Sequence, residues 1–364
     1  MKPESFENIL SKPYVVCSIL LLVCSLRFVN LGFGEIQEWD EALYAVRARS
    51  IVHFGDWPTT NLAGWLDQTN HAVGGLYSAS HPPLFIWLTA VTYEIFGISN
   101  FTTRLWSAVF SCGIIVFVYL IGKRLLSQAA GLLAAVLIGT IPIFTFYSRQ
   151  GQLDTTFLFF LTGSVCLWLL FLEADKSKWL ILSAISFGLS LASKSASGIL
   201  TIPIIIAVSI LYERSHAHVK IKVWLAHLIH AIAGLLIVLP WYIYMERQPH
   251  PELSNGFLVS QVLGSIQGVA SGLGTNVKEL GYFYFPNQLL VRFALSGLAF
   301  ATMLLVLVKW IQKRKPSNKS YRPDLIASIW FLTVLLVYSI LRTKVISYVL
   351  PMLIPLSLLS ALAL

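Results

Sequence analysis

The sequence predicts an all-α polytopic membrane protein with about ten helical spans. Three observations carry that reading. Of the 364 residues, 56% are hydrophobic and only 12% charged, with a mean hydropathy of +0.73; a soluble domain of this size needs more polar surface than that. Apolar stretches near the roughly 20 residues that cross a bilayer recur from end to end, and the charges fall between them. Helices satisfy their own backbone hydrogen bonds in lipid, so the pattern describes a helix bundle.

The formal charge of +9 gathers in loops such as WIQKRKPSNKSYR and YERSHAHVKIK. Basic loops of this kind mark the cytoplasmic side, so the charge is a topology signal and no nucleic-acid partner is expected. Cys17, Cys24, Cys112 and Cys166 all lie inside expected spans, which excludes a disulfide framework or a cysteine metal cluster.

Lys2 and Lys12 precede an apolar run over 14–31 that lacks a small-residue cleavage site, the pattern of an uncleaved anchor starting inside. The polar residues 34–82 then lie outside. The basic stretch GKRLLSQ at 122–128 should be inside, so an odd number of crossings separates the two. The short apolar piece 83–97 is therefore a juxtamembrane or partly inserted helix, and 101–121 is the span. Spans follow over 127–147, 153–172, 179–193, 196–212 and 222–244. A second long outer segment occupies 245–286, and the last spans are 288–309, 325–341 and 346–363. The whole reads as one transmembrane domain, 1–364, with function in the outer segments 34–82 and 245–286. It stops within apolar sequence at Leu364, as a longer protein trimmed at its C-terminus would.

Asp40 and Glu41 stand side by side just after the first span. Behind them Leu43, Val46, Ser50, Ile51 and Phe54 recur at helical spacing, with Arg47 and Arg49 off that stripe, as in an amphipathic helix lying in the interface. Asp40 reads either as the cap of that helix or, with Glu41, as a general base and its partner. Asp154 opens the span at 153–172 and reads either as a cap or as a second acid of the same site. Lys194, Arg342 and Lys344, with Arg149 and Arg292 at similar depth, place positive charge at outer helix ends, against the usual bias. A lipid-linked phosphate would pair with them; snorkelling to headgroups is the alternative. His81 stands before two prolines that fix the entry into the next helix, and reads as a phosphate donor or an interfacial side chain. His53 and His71 have no metal-ligand spacing, so no metal is assigned and a divalent cation has no support. There is no P-loop, no GxGxxG and no GxSxG.

In order, WDEALYAVRA, HPPLFIWL, SRQGQLDTTF, ASKSASGIL and KVISYVLPMLIPL resemble the protein O-mannosyltransferase and aminoarabinose transferase superfamily, over about residues 13–363. The resemblance implies a GT-C-type transmembrane helix bundle with amphipathic juxtamembrane helices in the first outer loop. It implies a polyprenyl-phosphate sugar as donor and a lipid or glycan acceptor, with no cofactor required. It places the catalytic aspartate at Asp40, with Glu41 beside it, a second acid at Asp154, and cations for the lipid phosphate at Lys194 and Lys344. His81 matches the basic residue before the double proline, which is His in protein mannosyltransferases and Lys in aminoarabinose transferases. Leu43 departs from the Arg that aminoarabinose transferases carry shortly after the acidic pair. The soluble C-terminal domain of many members has no counterpart in these 364 residues, so incomplete acceptor recognition is expected.

The chemistry expected is inverting transfer of a sugar from a polyprenyl phosphate to lipid A, another glycolipid, a polysaccharide or a protein, on the outer face of a bacterial cytoplasmic membrane. The competing class is a lipid-linked-sugar flippase or secondary transporter, which would place charges near the midplane in paired halves.

Overall fold

The computed structural model describes residues 12–58, 82–213, 220–247, 283–292, 323–341 and 344–364. Among them the regular structure is entirely helical: α1 (Pro13–Ser25), α2 (Asp40–Phe54), α3 (Leu84–Phe96), α4 (Asn100–Leu125), α5 (Gln128–Thr140), α6 (Pro142–Tyr147), α7 (Leu153–Ala174), α8 (Ser177–Lys194), α9 (Thr201–Glu213), α10 (Lys220–Glu246), α11 (Tyr284–Arg292), α12 (Pro323–Ile340) and α13 (Leu350–Ala363). Five stretches are long and apolar enough to cross a membrane: Asn100–Leu125, Leu153–Ala174, Ser177–Tyr212, Lys222–Glu246 and Ile346–Ala363. Shorter apolar helices stand beside them, at α1, α3, α5 and Asp324–Ile340.

Helix ends follow local chemistry. α4 starts on a capping box: the Ser99 hydroxyl accepts from the Thr102 amide at 3.2 Å, and the Thr102 hydroxyl accepts from the Ser99 amide at 2.9 Å. Ser127 caps α5 by accepting from the Ala130 amide at 3.1 Å. The stretch read as one span over 127–147 is broken at Ile141, which takes an extended conformation, and restarts at Pro142 as α6. Proline disfavours helical backbone in the residue before it and suits the first turn of a new helix, so the break sits where the sequence demands it.

The apolar stretch Ser177–Tyr212 is two antiparallel helices. α8 ends at Lys194, a 3₁₀ turn (Ser195–Leu200) reverses the chain, and α9 returns so that Ser209 accepts from the Trp168 indole at 2.8 Å, far down α7. Ser195 sits at the reversal with φ 42° and is held by a 3.0 Å hydrogen bond from the Tyr242 hydroxyl of α10. The expected pair 179–193 and 196–212 is thus present.

α7 is the central helix, packed on α4, α8 and α9. Its Trp168, Leu158, Leu161 and Val165 lie in one continuous core with Ile114, Val118, Trp330, Phe331 and Met352 of α4, α12 and α13. Lipid is as apolar as these side chains, so close packing supplies the association energy. α4 and α5 approach through Gly122 and Gly131; a Cβ on Gly122 would lie 2.6 Å from the Gly131 Cα. A second cluster joins α2, α3 and the start of α7 through Tyr44, Ala48, Ile51, Phe85, Ala90 and Leu153.

The expected helix behind Asp40 is present as α2, with its inward face turned partly away from the expected stripe. Ser50 and Ile51 of that stripe are buried, together with Tyr44, Arg47 and Ala48, whereas its Val46 and Phe54 are exposed. A stripe of apolar residues marks the core in water, but at a membrane the apolar face is also free to turn outward.

Candidate active site

α7 and α8 form a hairpin, so the first turn of α7 and the last turn of α8 meet at one end of the bundle. There the Lys194 ammonium donates to the Asp154 carboxylate at 2.5 Å. The opposite end of α7, about 30 Å away for a helix of this length, carries the pairs Arg124–Glu173 at 3.3 Å and Lys222–Asp175 at 2.5 Å. Lys194 also lies over the Tyr348 ring, 5.3 Å from its centroid, and Tyr348 stacks on Tyr338 at 4.5 Å. Asp154 is in the first turn of α7, but the N-cap position is Gln152; its carboxylate is an ion-pair partner.

Asp40 opens α2 at the same end. Trp39 occupies the N-cap position, with φ 70° and ψ −111°, and no side chain caps the helix. The capping role open to Asp40 in the sequence is therefore not the one it has. Asp40 stays open to solvent, yet the protein mass around its carboxyl disfavours the charged form. That burial, then repulsion from Asp154, raises its pKa above the ordinary carboxylate value, and Lys194 offsets part of the rise. One turn on, burial and the same two acids hold the buried Tyr44 hydroxyl well above its usual pKa. Asp40, Tyr44, Asp154 and Lys194 thus share one electrostatic environment.

Glu41 is different. It is fully buried, and its carboxylate accepts four hydrogen bonds. Oε1 receives Arg104 Nε at 2.8 Å and the Gly151 amide at 2.7 Å; Oε2 receives Arg104 Nη2 at 3.2 Å and the Gln37 amide at 2.7 Å. Arg104 spends its remaining donors on the carbonyls of Leu31 at 3.2 Å, Phe33 at 2.8 Å and Glu35 at 2.7 Å. All five guanidinium donors and the whole carboxylate are satisfied, leaving Glu41 no lone pair for a substrate proton. Read from sequence as a catalytic partner of Asp40, Glu41 is instead the anchor of the loop that carries Asp40. Gly151 permits this: a Cβ there would lie 2.8 Å from the Thr103 carbonyl oxygen and 3.4 Å from Glu41 Cγ.

The cations separate. Lys344 is buried and donates to the carbonyls of Tyr338 at 3.0 Å, Ser339 at 2.6 Å and Leu341, closing the end of α12. It also lies 5.3 Å from the Phe285 ring centroid. Arg149 donates to the Leu26 carbonyl at 3.2 Å. His81 and Arg342 lie outside the described residues, as do most of the outer segment 245–286 and the Arg292 side chain. Among the described residues no group of three or more His, Cys, Asp or Glu is arranged to hold a metal ion.

Arg104 escaped the sequence reading, although an arginine within the first turns of a span signals a buried partner. Tyr338 and Tyr348 gave no comparable signal, since aromatics are common in spans.

Fold and site together define a helical membrane protein with an acid and ion-pair cluster at one end of its bundle. The family model for dolichyl-phosphate-mannose-protein mannosyltransferase matches residues 80–244. An undecaprenyl phosphate-alpha-4-amino-4-deoxy-L-arabinose arabinosyl transferase of Pseudomonas aeruginosa (strain UCBPP-PA14) is 24% identical over 352 residues, covering 93% of this chain and 58% of its own. An uncharacterized protein of Aquifex aeolicus (strain VF5) is 23% identical over 340 residues, covering 92% and 60%. The chain thus spans about three fifths of the length of these relatives. Among solved structures, ArnT from Cupriavidus metallidurans bound to undecaprenyl phosphate superposes with a TM-score of 0.75 at 21% identity, over 96% of this chain and 59% of that one. The oligosaccharyltransferase AglB from Archaeoglobus fulgidus, in complex with an inhibitory peptide and a dolichol-phosphate, gives 0.63 at 15% identity, over 96% and 50%. The matched stretch 80–244 is thus similar to that mannosyltransferase family, and the chain shares the helical fold of ArnT and AglB.

Proposed function

We propose that this chain is the transmembrane catalytic domain of an inverting glycosyltransferase that takes its sugar from a polyprenyl phosphate, on the outer face of a bacterial cytoplasmic membrane. The observation that carries the reading is the meeting of Asp40, Asp154 and Lys194 at one end of the bundle, with Asp40 open to solvent. The relatives' own names, which pair undecaprenyl or dolichyl phosphate with sugar transfer, support it.

In this reaction the acceptor hydroxyl attacks the anomeric carbon from the face opposite the phosphate. Asp40 takes the acceptor's proton as the new carbon–oxygen bond forms. The bond from the anomeric carbon to the phosphate oxygen breaks, its electrons leave with the polyprenyl phosphate, and Lys194 meets that charge. A phosphate is already a good leaving group, so the chemistry needs no nucleotide. Glu41, held by Arg104, keeps Asp40 in place, and Lys344 supports Tyr338 and Tyr348 by closing α12. His81, Arg149 and Arg342 are the further donors assigned to the phosphate. Lipid A, another glycolipid, a polysaccharide or a protein is the acceptor class, chosen in the outer segment 245–286.

A flippase or secondary transporter would use charges near the midplane; Asp40, Asp154 and Lys194 gather at one end of the bundle instead. The two readings part on product. Proteoliposomes given a polyprenyl-phosphate sugar and cell-envelope acceptor extract should accumulate free polyprenyl phosphate and glycosylated acceptor. Donor that merely changes leaflet, chemically intact, would overturn the transferase reading.

A further inference from the structure

Of the three candidate cations with described side chains, Lys194 is the one paired with an acid; Arg149 and Lys344 are held by backbone carbonyls. We propose that Asp154 is a resident counter-ion that competes with the donor's phosphate for Lys194, neutralising that ammonium while the site is empty and promoting release of the lipid phosphate product. The inference rests on the transferase reading above and assigns Asp154 a role on Lys194 rather than on the reacting atoms.

The argument is one of charge and geometry. The side chains of Lys194 and Asp154 are 14% and 6% exposed, so an ammonium left alone there would carry a heavy desolvation cost. Asp154 removes that cost at 2.5 Å whenever no anion is bound. An ammonium is a compact charge with three rotatable donors, so it can turn from one acceptor to another without leaving its place. The Tyr348 face beneath it, 5.3 Å away, steadies the charge in either orientation.

A phosphate arriving at Lys194 meets the Asp154 carboxylate as a rival for the same charge and as a like charge nearby. Both effects weaken the hold on the anion. When the sugar has gone, the bare lipid phosphate carries more charge than the donor did and would otherwise bind more tightly. Asp154 retakes Lys194 as it departs.

The test is binding of polyprenyl phosphate to the purified full chain, for the wild type, Asp154→Asn, Lys194→Met and the double variant. Asp154→Asn should bind on the order of tenfold tighter, the size expected of one unit charge several ångströms away in partly screened protein. With a sugar donor it should show a fast first turnover followed by a slower steady state. In the Lys194→Met background the tightening should shrink, because only the direct repulsion between the carboxylate and the phosphate is then left to remove. Asp154→Ser repeats the experiment with a smaller side chain should the Asn variant not fold, and Asp154→Glu should bind like the wild type. Equal or weaker binding by the folded neutral variants, or tightening of the same size without Lys194, overturns the proposal. A wild type that binds no polyprenyl phosphate overturns the transferase reading itself, and this inference with it.

Discussion

Arg104 and Glu41, 63 positions apart in the chain, face each other at 2.8 and 3.2 Å and fasten the first polar loop onto the start of α4. The residue that carries the proposed base sits next to the most completely bonded side chain of the site. A reactive group on a loop needs such support, because small losses of position weaken catalysis strongly.

Removing either partner strands a buried charge. Glu41→Gln or Arg104→Met should therefore destabilise the protein by roughly 3–5 kcal/mol, and the double variant by less than the sum of the two. Thermal unfolding in detergent checks this. Single variants melting with the wild type would mean that the pair does not anchor the loop.

Asp40 is predicted to work against stability. Its pKa is raised in the folded protein, so its favourable contribution is present in acid and is lost as pH rises through the folded value. At neutral pH the charged form is the disfavoured one. Asp40→Asn should melt at or above the wild-type temperature at pH 7, and the difference should vanish below about pH 4. A variant less stable than the wild type at pH 7 would count against the shift.

The same shift fixes the acid limb of the rate. A base must be deprotonated to accept a proton, so kcat/KM should begin to fall at a higher pH than an ordinary carboxylate near 4 would give. A pH–rate profile with its acid limb at or below that value would contradict the environment described for Asp40.

Lys344 distinguishes two roles by its effect on the empty protein. As the group closing α12 through three carbonyls, its replacement in Lys344→Met should cost about 1–3 kcal/mol of stability with no ligand present. A residue serving the phosphate alone would leave the unliganded melting temperature unchanged.

The helical class and several helix positions were legible because bilayer thickness fixes the length of apolar stretches, whereas the break that Pro142 makes in 127–147 was passed over, since apolar content alone does not mark it. The shared end of Asp154 and Lys194 was legible too, since a hairpin of two spans returns to the side it left. The roles of neighbours were not. Asp40 and Glu41 look alike in sequence, yet one faces solvent and the other Arg104, and only the path of residues 31–37 around the guanidinium decides which. The inward face of α2 was read correctly at Ser50 and Ile51 and missed elsewhere for a related reason: Arg47 is buried while Val46 is not, a reversal that apolar periodicity cannot express. Lys344 read as a phosphate ligand because charge near a helix end is visible in sequence, whereas the carbonyls it closes are not.

The central claim is that Asp40 is the base of a sugar transfer from a polyprenyl phosphate. The most direct measurement is the rate of lipid phosphate release by purified wild type and Asp40→Asn in the same bilayer, with donor and acceptor present and folding checked by melting. Loss of at least about a hundredfold in the folded variant is the expected result. Release by Asp40→Asn at close to the wild-type rate would contradict the account.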